Sequence, residues 1–410
     1  MCHQSIVPMI ACVVIVAGCQ QNALKSTSVP AKLGQAAVMH DKLAGNWEKH
    51  TVIRLDPDHP DLMMPALFQY VSDRWNRIGL YPFLQYMPEK NRLIAIVGCD
   101  QPHGPFLTTS DDGGATWTEP RKIRDDVNKG LGNICYLGDG RVTVTAFHPP
   151  RRCYSDDYGE TFPRTVPVNK IANGVELHDS MAPFVDHNPR TGQIDRLVHI
   201  RYEYGPITNQ AYIRFSTDLG KTWTQDRSVP QWNGFNEAEM VRAKNGDLIC
   251  CLRTIVHERY KERNDHFGGM GVSISRDNGQ TWSDVNRLYE WGRHHQSLVV
   301  MPNGDIVMSY VVREGYPTSK NGYPTFGIEA IVSHDHGQTW DLDHVYVLYE
   351  WEGHLTGDPG YWMASPQITS TVVLPDGDLI TIFSGGEREV GFKGDPRHIG
   401  VVRWCLAESM

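Results

Sequence analysis

Four octapeptides in this chain read Ser-x-Asp-x-Gly-x-Thr-Trp: Ser110–Trp117, Ser216–Trp223, Ser275–Trp282 and Ser333–Trp340. A fifth, Ser155–Phe162, differs only in ending on Phe. A motif repeated at intervals means a fold made of like units, each burying its apolar face against the next. Within one copy, the Asp side chain can accept from backbone N–H groups of its own turn, and Gly supplies a left-handed residue. Because the motif recurs in unit after unit, its Asp is predicted to be structural, since an active site occurs once.

A second signal runs out of phase with the first. Six times an apolar run leads through a tight turn into another apolar run, with turns at Asn91, Asp139-Gly140, Thr191-Gly192, Asn245-Gly246, Asn303-Gly304 and Asp376-Gly377. Asn-Gly and Asp-Gly between β-rich runs are strong hairpin signals, because both turn residues need positive φ. The hairpins recur every 50 to 75 residues or so, near the period of a propeller blade. Each of the first five is followed by a third apolar run and then the octapeptide, which therefore turns the third strand into a fourth. The last unit ends after its third strand, Gly400–Leu406. Trp47–Leu55 has strand character and is expected to pair with that last strand, closing the ring and removing the open edge. The expectation is an all-β, six-bladed β-propeller with four antiparallel strands per blade, one domain over residues 46–408.

The N-terminus is read as lying outside that domain. Ile6–Gly18 is apolar but too short to span a bilayer as a helix. It ends in Val16-Ala17-Gly18-Cys19, which resembles a bacterial lipoprotein signal cleaved before Cys19. Met1–Ser5 carries no Lys or Arg, where such signals place a positive charge. Residues 1–18 are thus expected to be a signal peptide, Cys19 the lipidated residue, and 19–45 a polar tether. Export to a bacterial cell envelope follows, with membrane contact only through the lipid.

The net charge of −9 leaves no basic footprint for nucleic acid. Six cysteines fall beyond the leader, with no Cys-x-x-Cys pair, so they are expected to be buried free thiols and not metal ligands or a disulfide scaffold. No metal site and no cofactor is written in the sequence. His257-Glu258 has Lys261 where a zinc-protease helix needs its second His.

In a propeller the innermost strands converge on the axis, so polar residues at one end of them meet in one pocket. Before the inner strands stand Tyr81, Asn133, His178-Asp179, Asn236-Glu237, His294-His295-Gln296 and Gln367. After the second strands stand Asp100, His148, Arg201-Tyr202-Glu203, Arg253, Arg313 and Glu387. Such a ring suits an anionic or carbohydrate ligand.

The repeated octapeptides, or Asp boxes, together with the six hairpins resemble the sialidase (neuraminidase) superfamily over nearly the whole mature chain. The nearest local likeness is Asn236–Arg253, a Glu, a hairpin and then an Arg. The resemblance implies that Glu237 polarises a nucleophile and that Arg253 and Arg313 grip a substrate carboxylate, a two-point clamp that Lys cannot make. Sialidases carry Arg-Ile-Pro on the first strand; here Leu80-Tyr81-Pro82 stands there, with Arg77 just upstream. Asp100 is the implied acid/base. The implied nucleophile is a tyrosine, for which Tyr361 is the nearby candidate. His178, Asp179, His294 and His295 complete the expected substrate-binding set.

Three readings stay open at this stage. One is an exo-α-sialidase-like glycoside hydrolase acting on terminal acidic sugars. Another is a propeller hydrolase or lyase on a uronic or neutral sugar, using histidine as a base near neutral pH. The third is a non-catalytic glycan-binding propeller, since fold does not fix function. In each the partner is a carbohydrate or glycoconjugate, and the chain is expected to act as a monomer.

Overall fold

The computed structural model describes residues 29–30, 39, 41–73, 75, 79–100, 103–127, 129–172, 174–179, 181–203, 209–254, 268–317, 324–353, 366–385 and 398–407. They form an all-β, propeller-like fold. Four sheets have four antiparallel strands each. The first runs Gly79–Met87, Arg92–Asp100, His103–Ser110, Arg121–Lys122. The second runs Lys129–Tyr136, Val142–His148, Pro150–Ser155, Arg164–Pro167. The third runs Phe184–His187, Ile194–Glu203, Gln210–Ser216, Arg227–Asn233. The fourth runs Phe235–Arg242, Leu248–Thr254, Met270–Ser275, Asn286–Tyr289.

Ile171–Ala172 and Val175–Glu176 make a two-stranded sheet, and the remaining strands join into one ten-stranded sheet. One end is the antiparallel run Arg293–Val300, Ile306–Val312, Thr325–Ser333, Tyr346–Glu352. The other end is Thr369–Val373, Leu379–Gly385, His398–Trp404. All six hairpins expected from the turn residues are present as antiparallel pairs. Their first strands pack side by side in a circle: Gly79–Met87 lies against Lys129–Tyr136 and Thr369–Val373, and each of the others touches the next.

The junction of the large sheet differs from expectation. His398–Trp404 pairs with Leu62–Tyr70, with Gly400 opposite Tyr70 and Val402 opposite Phe68. Trp47–Leu55 was expected there; its strand, Glu48–Arg54, lies one position farther out. That strand pairs with Leu62–Tyr70 on one side and, through Ile53 and Arg54, with Val347 and Tyr346 on the other. Burial explains the order. Ala66, Leu67 and Phe68 are buried in succession, whereas Glu48, Lys49 and Thr51 are exposed. The strand with two apolar faces takes the inner place and the one-sided strand the outer. Within the expected tether, Val29–Pro30 pairs in parallel with Leu62–Met63.

The five octapeptides make the turns between third and fourth strands, and all five use the same bonds. In Ser275–Trp282, the Ser275 hydroxyl donates to Asp277, the Gly279 N–H donates to Ser275 Oγ, and Thr281 donates to Asp277 from both backbone and hydroxyl. The Gly in each copy has φ between 81° and 89°, which only glycine adopts without strain. Cores lie between sheets. Val311, Phe326, Leu348, Phe383, Val402 and Trp404 form one that ties the two ends of the large sheet together. Each such side chain contributes about 1.5–3 kcal/mol by leaving water. Cys135, Cys153, Cys250 and Cys251 are buried free thiols, and Cys405 is a partly buried one.

Candidate functional site

The inner strands are not regular at one end. Register shifts fall between Leu80 and Phe83, Asn236 and Ala238, and His294 and Ser297. Inside these shifts Tyr81, Glu237 and His295 have φ of 47°, 30° and 52°. Positive φ in a non-glycine residue is costly, and a bulge there re-aims a side chain that the pleat would otherwise point elsewhere. Three sheets spend that cost at equivalent places.

Glu237 is the centre of what the bulges assemble. Its Oε2 lies 2.7 Å from Arg253 Nη1 and 3.3 Å from His295 Nδ1. Arg253 Nη1 also lies 3.4 Å from His295 Nε2. A guanidinium can only donate, so Nε2 is the acceptor, and a neutral ring then holds its proton on Nδ1, facing Glu237. The Tyr202 hydroxyl sits 3.5 Å from Glu237 Oε1. Gln296 fixes the backbone from behind: its Nε2 donates to the carbonyls of Glu237 and Cys251 at 2.7 and 2.8 Å. Thr369, from the facing strand, donates to the His295 carbonyl at 3.1 Å. The Glu237 side chain is 13% exposed, Arg253 9% and His295 3%. This is a mostly desolvated carboxylate with one small opening, held by two nitrogen donors.

The other expected residues fall into distinct places. The fully buried His294 ring stands 4.4 Å from that of His295. His178 stacks on Tyr202 at 5.6 Å and exchanges backbone hydrogen bonds with it, so it adjoins the Glu237 group through Tyr202. Burial, with help from Lys170 and Arg201, lowers the His178 pKa against the pull of Glu176 and Asp179. Arg313 is buried at the same end of its hairpin; its Nε donates to the Pro366 carbonyl at 2.7 Å, and Nη2 lies 3.4 Å from Gln367 Oε1. Asp179 does not join Glu237. Its carboxylate is 2.7 Å from Arg201 Nε, in a buried ion group with Arg214 and Asp226. Asp100 ends its strand opposite His103. Arg77, Tyr361 and Cys19 lie outside the described residues.

Gln296 and Thr369 hold the site in place, and only Gln296 stood among the sequence candidates. Among the described residues no three His, Cys, Asp or Glu side chains converge as metal ligands would. A cavity of about 840 Å³ lies among Trp47, Tyr70, Trp117 and Tyr349 and shares no residue with the Glu237 group.

The repeat has a counterpart among known families: a model for a BNR repeat-like domain matches residues 178–348. Solved structures extend the likeness over most of the chain. A protein of unknown function from Dyadobacter fermentans superposes with a TM-score of 0.61 at 15% identity, over 83% of this chain and 98% of that one. The chain shares the fold of the sialidase-like propellers. Two further solved structures with this fold are sugar hydrolases. An α-L-arabinofuranosidase of Fusarium graminearum aligns with a TM-score of 0.53 at 13% identity, over 89% of this chain and 99% of that one. An α-L-arabinanase of Penicillium chrysogenum, solved with arabinobiose, gives 0.54 at 13% identity, over 88% and 100%. No curated protein matches the chain in sequence. At these identities the likeness is one of fold, and the chemistry of this sialidase-like propeller rests on its own residues.

Proposed function

We propose that this chain is a six-bladed, exported glycoside hydrolase that cleaves a terminal sugar at Glu237. The observation that carries the reading is the Glu237 group itself: a carboxylate on a strained bulge, gripped by Arg253 and facing His295. Strain of this kind persists where the surroundings over-determine it, typically at active sites. A carboxylate beside a guanidinium in a mostly dry pocket is suited to polarise a nucleophile or stabilise a positively charged sugar transition state. In the finer, sialidase-type version, Tyr361 attacks the anomeric carbon and passes its proton toward Glu237. Asp100 protonates the leaving oxygen, and Arg253, Arg313 and Arg77 hold the sugar carboxylate. Lipid on Cys19 would keep the enzyme at the cell envelope.

One observation favours a second specificity. Arg253 Nη1 is engaged by Glu237, and Arg313 Nε by the Pro366 carbonyl, so both guanidinium groups have structural partners before any sugar arrives. His295, beside Glu237, is a ready proton carrier. Of the uronic and neutral sugars of that second version, engaged arginines favour the neutral one, and the arabinose enzymes that share the fold belong with it. The test is release of a fluorogenic group from an α-sialoside, an α-L-arabinofuranoside and a β-glucuronide, with Glu237→Gln as control. Release from the sialoside alone supports the acidic-sugar version; release from either of the others supports the second. No release from any of them, alongside measurable glycan binding, would replace hydrolysis with a binding role.

A further inference from the structure

A separate cavity of about 260 Å³ opens between the second and third sheets, away from Glu237. Its walls include Arg152 of strand Pro150–Ser155, Arg201 and Arg214 of the third sheet, and the turn from Gly220 to Asp226. Arg152 is 1% exposed, and none of its three guanidinium nitrogens has a hydrogen-bond partner. The Nε of Arg214 is likewise unpartnered. Two carboxylates are near: Asp179 lies 2.7 Å from Arg201 Nε and 3.7 Å from Arg214 Nη2, and Asp226 lies 2.9 Å from Arg201 Nη1. Three buried guanidinium groups thus meet two carboxylates, while His199 between them is held neutral. Burial drives the His199 pKa well down, and Arg214, Arg152 and Arg201 push the same way. Lys221, exposed at the mouth, adds a further positive charge.

The packing aims Arg152 into this space. Its guanidinium stands 5.4 Å from the Trp223 ring centroid, and that of Arg214 stands 4.6 Å from the same ring. Two cations on one indole gain some cation–π attraction but repel each other. Gly220 makes the approach close: a Cβ there would meet Arg152 Cδ at 3.2 Å and Nε at 3.3 Å. Among the described residues no carboxylate stands within ion-pair distance of Arg152, and a buried charge left unpaired is strongly unfavourable. The pKa of Arg214 is lowered to about 10, by burial first, with Arg201 and Arg152 adding to it against Asp179 and Asp226.

We propose that this cavity is a binding site for an oxyanion of the sulfate or phosphate type, held by the Arg152 fork with Arg214 beside it and Lys221 at the entrance. Guanidinium groups match tetrahedral oxyanions through paired N–H donors. The cavity has room for the ion with water, or for a sulfate ester with part of its sugar at the mouth. The site is independent of the Glu237 reaction.

Calorimetric titration of the full chain with sodium sulfate, galactose 6-sulfate and galactose tests this, against sodium chloride at matched ionic strength. One saturable site is expected for sulfate and none for galactose or chloride. Arg152→Met should weaken it by about tenfold or more, since it keeps the buried stem and removes the fork. Lys221→Glu reports on the same site from an exposed position that cannot unfold the sheet, and should also weaken binding. Saturable binding of galactose 6-sulfate marks a sulfated glycan as the source, and binding of sulfate alone marks the free ion. The proposal is overturned if wild type shows no saturable heat with sulfate or its ester. It is equally overturned if galactose binds as well, or if affinity is unchanged in both variants.

Discussion

Arg253 pairs in register with Asn236, yet its guanidinium reaches the next residue along, Glu237, at 2.7 Å. The bulge makes this contact. Without the extra residue, Glu237 would follow the pleat to the other face of its strand, and Arg253 would lie buried opposite an amide. One backbone irregularity therefore creates both the charge pair and the orientation of the carboxylate toward His295.

Glu237→Gln tests that carboxylate with little change in shape. The amide still accepts from Arg253 but carries no charge. Turnover of whichever glycoside proves to be a substrate should fall by about a thousandfold or more, the scale on which catalytic carboxylates and electrostatic stabilisers act. The melting temperature should move little. Near-wild-type kcat in a folded Glu237→Gln protein would remove Glu237 from the chemistry.

Asp112 tests the opposite kind of aspartate. It accepts from the Thr116 N–H at 2.9 Å and from the hydroxyls of Ser110 and Thr116 at 2.7 and 2.6 Å. Burial pushes its pKa up, but those bonds outweigh it and the net shift is downward. Asp112→Ala should cost about 1–2 kcal/mol in urea unfolding and leave kcat unchanged. Because the folded pKa lies below the unfolded one, the carboxylate's contribution is present above pH 4 or so and is lost as pH falls through the folded value. The stability gap between wild type and Asp112→Ala should therefore close in acid. A loss of kcat without a loss of stability would contradict the structural role.

Much of this was legible in the sequence for a physical reason. Turn chemistry is local, so four Asn-Gly or Asp-Gly pairs, with Asn91 and Thr191-Gly192, marked six hairpins, and the octapeptides marked five strand connections. Glu237 and Arg253 were visible because they flank a hairpin. Non-local facts were hidden. Pro65 stands within Leu62–Tyr70, and proline argues against an inner strand, so nothing local marks that segment as the partner of the last strand. Positive φ at Tyr81, Glu237 and His295 has no glycine to announce it. Asp179 sat beside His178 and looked like its companion. Neighbours on an extended chain point opposite ways, so one reaches Tyr202 and the other Arg201. Thr369 touches the His295 carbonyl across 74 residues, a contact no spacing could suggest.

Glu239, two residues beyond Glu237, gives a pH signature of its own. Its Oε2 accepts from the Leu298 N–H at 3.1 Å, and the Ser297 hydroxyl is 3.5 Å from Oε1. It is partly buried against the inner strands, and desolvation pushes its pKa up to about 8 despite both donors. The folded chain then holds a proton that the unfolded chain releases above pH 4.5 or so. Stability therefore falls as pH rises between those two values and levels off above the upper one. Glu239→Gln cannot titrate, so urea midpoints for wild type and variant should diverge steadily from pH 5 to pH 8, with the variant the more stable at the alkaline end. Parallel curves would mean Glu239 is ionised in the fold at neutral pH.

The strand that closes the ring makes the last prediction. Leu62–Tyr70 is hydrogen-bonded to His398–Trp404 on one edge and to Glu48–Arg54 on the other, and it buries Ala66, Leu67 and Phe68. Phe68 also stacks on Tyr349 at 4.5 Å, so this one strand links the start, the middle and the end of the chain. Among the described residues before Trp47 the contacts are fewer: Val29–Pro30 pairs with Leu62–Met63, Lys42 pairs with Asp376 and the buried Asp378, and Met39 adds one buried side chain. A chain starting at Trp47 should melt cooperatively, within about 5 °C of the full chain, since a loss near 1 kcal/mol moves the midpoint by only a few degrees at this size. A chain starting at Val71 exposes the edge of His398–Trp404 and uncovers the core around Val402 and Trp404. It should lose its cooperative melt and self-associate through that edge, as read by calorimetry and light scattering. If it melted as a monomer with an unchanged midpoint, the ring would be closed by contacts other than this strand.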